Sequence, residues 1–150
     1  MSHALPFKRS RTPLTKAQLL PIPRATANEL ALHAHLAIKA LRAGSVDIAP
    51  AQLIAETMLL VRFLAETGHG EFSHEALIDA NRVMAAVFDA GQASSMWRLP
   101  ADDVDEFAAI VSLYDRQLQR ASLAALTVAY ERLDRFKAGE VYQPLQRRRA

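Results

Sequence analysis

The histidines and carboxylates are the side chains of this sequence that could do chemistry, and their spacing decides how much. Glu29 and His33 stand four apart, so on a helix they share a face and could offer two ligands to a metal ion. Two ligands fall short of a tetrahedral site, and an ordinary surface pair accounts for them. His33 and His35 are two apart and point to different faces. The run HEALID at 74–79 begins like a zinc-protease helix, which needs a second histidine four residues after the first. That position is Ile78, so the motif fails. His69 and His74 flank a predicted helix start without a third ligand close in sequence. Asp102, Asp103, Asp105 and Glu106 could suggest Mg²⁺, but they lack partner ligands at a set spacing. Acids in the first turns of a helix already answer the helix dipole.

Other chemistries are excluded by composition. Cysteine is absent, which removes disulfides, thiolate metal sites and cysteine nucleophiles together. There is no G-x-S-x-G elbow, no P-loop and no G-x-G-x-x-G. Four of the five glycines, Gly44, Gly68, Gly91 and Gly139, each follow an apolar-periodic stretch, where a helix C-cap wants them. The expectation is a non-catalytic protein with no cofactor and no metal.

Charge is the more informative pattern. Residues 1–24 carry five basic side chains and no acid, and residues 141–150 carry three and no acid. Residues 25–140 hold 10 basic and 16 acidic side chains, a net −6. Lys8, Arg9 and Arg11 at one end, and Arg147, Arg148 and Arg149 at the other, are therefore the candidate contacts to a nucleic-acid backbone. Such contacts would be salt-dependent and blind to base sequence. The same ends could instead pair with the acidic body of this chain or of a second copy. The segment LLPIP at 19–23 is apolar and stiffened by proline, which favours docking of Leu19, Leu20 and Ile22 on the body.

The elements that must position these groups are all helical. A chain of 150 residues reads as one domain, large enough to bury a core without staples. It divides into a basic, proline-containing extension (1–24), a helical body (25–140) and a basic tail (141–150). The first helix is predicted from Thr26 to Ala43, with Thr26 as N-cap and Glu29 as its capping-box partner. The second, Ile48 to Thr67, is capped by Asp47, and its apolar residues cover more than one face, as a central helix requires. The third runs from Ser73 to Ala90 and closes at Gly91, followed by a loop whose Trp97 plugs a gap at the end of the bundle. The fourth starts near Pro100–Ala101, and a fifth is capped by Ser122 and ends near Lys137. The fold class is all-α, a compact antiparallel bundle of four to five helices.

Within the fourth helix, Val104, Phe107, Val111, Tyr114 and Leu118 follow spacings of 3, 4, 3 and 4, the strongest periodic signal in the chain. This seam suits packing against another helix of the same bundle or of a partner chain. Asp115 beside it reads as a surface residue, or as a polar anchor if its face is covered.

The order KRSRTPLTKAQLLPIP, LALHAHLAIKALRAG, FLAETGHG, Trp97, LYDRQLQ and ERLDRF resembles a family of small helical bacterial proteins labelled Fis-family transcriptional regulators, over residues 8–136. The resemblance implies DNA binding through a C-terminal helix-turn-helix. The residues themselves place no glycine between the last two helices, and few basic groups (Arg132, Arg135 and Lys137) on the second, so no functional residue is carried over. The function expected is a regulatory or accessory protein associated with DNA non-specifically through its ends. The alternative is a helical interaction module that binds itself or another helical protein. No apolar run approaches the ~18 residues of a membrane span, and no apolar stretch follows the N-terminal basic residues as in a secretory signal. A cytoplasmic protein without a membrane partner is expected.

Overall fold

The computed structural model describes residues 13–139. The basic candidates Lys8, Arg9, Arg11, Arg147, Arg148 and Arg149 lie outside them. The described residues form α1 (Lys16–Leu19), α2 (Arg24–Ala43), α3 (Ala49–Glu66), α4 (His74–Ser94), a 3-10 turn (Ala101–Asp103), α5 (Val104–Arg120) and α6 (Leu123–Lys137). Among the described residues there is no β-strand, and the fold is an all-α bundle.

Helix α3 is the hub. It packs against α2, α4, α5 and α6, and residues around its circumference are buried, Ile54, Met58, Leu60, Val61 and Phe63 among them. A helix that is apolar on several faces has nowhere else to go. Helix α2 packs against both α3 and α5 and buries a row of alanines, Ala27, Ala31, Ala34 and Ala37. Small residues at i, i+4 and i+7 spacing let two helix backbones approach closely.

The seam of α5 is used inside the chain. Phe107, Val111, Tyr114 and Leu118 are buried and Val104 is half-buried, where α5 meets α2 and α3. The stripe thus packs against helices of the same bundle, the first of the two uses its spacing allows.

Three boundaries differ from the sequence reading, each for a local reason. Helix α2 starts at Arg24, ahead of Thr26, because Pro23 stands at the boundary and its carbonyl accepts the first helical bond from Ala27 (3.0 Å). Proline fixes φ and has no N–H to leave unpaired, so it replaces the expected Thr26–Glu29 box. A capping box does form, one element earlier, between Thr15 and Gln18. Helix α4 continues through Gly91 to Ser94 and ends on Ser95, in the left-handed region at φ 58. Gly91 is buried in the last turn of α4 because the Trp97 indole lies on it, and a Cβ there would overlap the ring. The fourth predicted helix begins as a 3-10 turn and becomes α-helical at Val104. Ser122 caps as expected, accepting from the Ala125 amide (3.1 Å), whereas Asp47 stands one residue ahead of the N-cap position, held by Ile48 without a side-chain bond, and accepts from the Ala49 amide (2.9 Å).

Two backbone clips close the bundle. Ser45 and Trp97 exchange both amide–carbonyl bonds at 2.8 Å, joining the α2–α3 and α4–α5 connections. The Leu20 carbonyl accepts from the Leu123 amide at 2.9 Å, so the N-terminal strap is held on the start of α6. Of the strap's apolar side chains only Ile22 packs on the core, while Leu19 and Leu20 are exposed. Backbone pairing, rather than burial of all three side chains, docks the segment.

Candidate interaction site

The strap and the first turns of α2 leave an open groove against α6. Ile22, Leu30, Leu123 and Leu126 supply its apolar wall, and Tyr130 its far end. Glu131 and Asp134, one turn apart on α6, form an acidic rim, and the cavity encloses about 310 Å³. Leu123 is 41% exposed although its neighbours are core residues, so the groove is an apolar surface in contact with water. That volume falls in the range of ligand and peptide-anchor pockets.

Beneath the groove, the Tyr130 hydroxyl meets the Tyr114 hydroxyl at 3.1 Å. Burial, with Tyr130 beside it, pushes the ionisation of Tyr114 well above the ordinary tyrosine range. Tyr114 is thus a core residue with a satisfied hydroxyl, and Tyr130 links that core to the groove wall.

The next turn of α5 carries a residue to which helical spacing alone assigns no role. Gln117 is buried, and its Nε2 donates to the carbonyls of Val61 (2.9 Å) and His69 (2.8 Å). It fastens the turn after α3 onto α5. Its Oε1 is buried without a partner. Glutamine in an otherwise apolar stripe (Tyr114, Gln117, Leu118) was the signal for it. Beside it, Gly68, His69 and Gly70 face Leu113, Arg116 and Arg120 across a notch of about 180 Å³.

A charged cluster holds the other side of α3. The Glu66 carboxylate accepts from Arg132 Nη1 at 2.8 Å and faces Arg62 Nε at 3.1 Å, while the Arg132 guanidinium lies 4.1 Å over the Phe63 ring. All three side chains are largely buried, which makes this a paired internal charge rather than a surface bridge. Arg132 is therefore a core partner. At the end of the same helix, a hydrogen bond from Lys137 to Glu56 (2.8 Å) raises the lysine pKa.

The remaining sequence candidates do not converge. Asp115 is partly exposed, with His35 Nε2 at 3.8 Å and Gln119 Nε2 at 3.4 Å. Asp102 and Asp103 sit in the 3-10 turn, and Asp105 and Glu106 in the first turn of α5. Among the described residues, no group of three or more histidine, aspartate or glutamate side chains is placed to hold a metal ion. Among them, too, no helix is long and apolar enough to cross a membrane. No family model, curated protein or solved structure matches this chain.

Proposed function

We propose that this chain is a non-catalytic accessory module that works by docking a polypeptide in the groove between α2 and α6. The water-exposed apolar groove with its acidic rim carries the reading. The occupant that fits is a short segment with apolar anchors and basic residues, since Glu131 and Asp134 would pair with cations at the rim. The chain's own N-terminal sequence has that chemistry, with Leu5 and Phe7 beside Lys8, Arg9 and Arg11. Residues 13–139 hold 12 basic and 15 acidic side chains, so the body is net negative and the ends are positive. A second copy of the chain is accordingly the partner. Light scattering of the full chain across a concentration series tests this. Self-association should appear, weaken with added salt, and be lost in Glu131→Lys/Asp134→Lys, whose side chains are exposed. A chain that stays monomeric throughout, or associates equally well with the rim reversed, overturns the reading.

A second reading, DNA association through the basic ends, draws on the charge segregation and on the resemblance to Fis-labelled proteins. It predicts duplex binding that falls steeply with salt. Substituting alanine for Arg9, Arg11, Arg147, Arg148 and Arg149 should flatten that slope, as read by fluorescence anisotropy of a labelled duplex. Unchanged binding in that variant argues against it.

A further inference from the structure

The notch between the α3–α4 connection and α5 has no role in either reading, and its chemistry is different from that of the groove. Arg116 and Arg120 are exposed and one helical turn apart, so both guanidinium groups reach the same opening. Among the described residues neither makes an ion pair, whereas Arg62, Arg82 and Arg132 all do. Two unneutralised arginines side by side repel one another, and an anion between them removes that cost.

The opposite wall adds hydrogen-bonding groups. Gly70 lies at φ 79, a left-handed conformation in which the backbone can come close to α5, and a Cβ there would press on Leu113. Its amide donates to no acceptor among the described residues, while the amides of Gly68 and His69 are spent on capping α3. Gln117 lines the same notch, and its buried Oε1 lacks a donor. That oxygen is closed to solvent, so Gln117 shapes the floor of the notch without offering it an acceptor.

We infer that this notch is a binding site for a single small oxyanion, the chemistry of inorganic phosphate or of the terminal phosphate of a monoester. Arg116 and Arg120 would take the charged oxygens, since guanidinium forks match phosphate geometry. The Gly70 amide would donate to a further oxygen. A notch of about 180 Å³ holds one such group and excludes a whole cofactor. The site is open on one side, so affinity in the millimolar range is expected.

The test is a titration of the ¹⁵N-labelled full chain with sodium phosphate against sodium chloride at matched ionic strength, which separates binding from screening. Saturable shifts confined to the amides of Gly68, Gly70 and the Gln117 side chain are expected, and methyl phosphate should reproduce them. In Arg116→Ala/Arg120→Ala the affinity should fall by about tenfold or more, while Arg82→Ala, remote on α4, should bind as the parent does. Both arginines are exposed, so the double variant should keep the parent's spectrum elsewhere. Shifts that do not saturate, or that persist equally in the double variant, overturn the assignment. So does a result in which a DNA duplex moves these amides and phosphate does not. Because the readout is local to the notch, the outcome does not depend on whether the groove between α2 and α6 binds a second copy.

Discussion

Replacing Gln117 with leucine tests how the turn after α3 is held. The change keeps roughly the side-chain volume and removes both donors, to the Val61 and His69 carbonyls. Each such bond contributes about 1 kcal/mol net. The Val61 carbonyl sits within a helix and keeps its other lone pair for that ladder, whereas the His69 carbonyl, in a connection, loses a partner it cannot replace without water. Against this, leucine removes the unpartnered Oε1 and adds apolar contact in a site that is 2% exposed. The balance is a loss of about 1–2 kcal/mol, which corresponds to a fall in Tm of about 2–8 °C for a chain this size. Urea unfolding followed by circular dichroism measures the first quantity. Amide hydrogen exchange locates it: Gly68–Phe72 should lose protection while α2 and the middle of α5 keep theirs. A Gln117→Leu protein as stable as the parent, with unchanged exchange in that turn, would refute the view that these two bonds anchor it.

Two further outcomes follow from the packing and the titration of single residues. Gly91→Ala should destabilise the chain by about 1–3 kcal/mol through overpacking against the indole, with a shift in Trp97 fluorescence as the ring is displaced; unchanged emission and stability would mean the ring has room. The folded state holds the Tyr114 proton to a higher pH than the unfolded chain, whose tyrosine titrates near 10. The folded form therefore binds more protons above that pH, and stability falls as pH rises past it. Tyr114→Phe should cost about 1 kcal/mol at neutral pH and make the alkaline decline shallower, as read from urea midpoints; an identical decline in the variant would assign it to other groups.

Much of the architecture is legible in the sequence, and the failures are local. Five long helices follow from apolar periodicity, because burial of a stripe is decided along the chain itself. The place of α3 at the centre follows from its surplus of apolar faces. What periodicity cannot say is which neighbour covers a stripe: Val104, Phe107, Val111, Tyr114 and Leu118 have the same spacing whether α2 and α3 or another chain lie against them. Gly91 reads as a stop because glycine ends most helices, and only the position of Trp97, six residues on, shows that it is there for space. Thr26 and Glu29 spell a capping box, but Pro23 sets the boundary first. The groove, the notch and the anchoring by Gln117 all join residues far apart in the chain. Their distances are properties of the packed bundle, so spacing rules along one segment have no access to them.

The clip between Leu20 and Leu123 also bears on how the chain can be made. It joins positions 103 residues apart, and α6 covers one side of the central helix. Closing a long loop adds only slowly to the entropy cost with length, but during synthesis the partner must first exist. Until residues 104–137 have emerged, the sides of α3 that α5 and α6 will cover remain bare, with Met58, Val61 and Leu64 among its core residues. A growing chain therefore carries its most adhesive surface in the open through much of its translation, and α6, the last of the described helices to leave the ribosome, is the one that shelters it and fixes the strap in place.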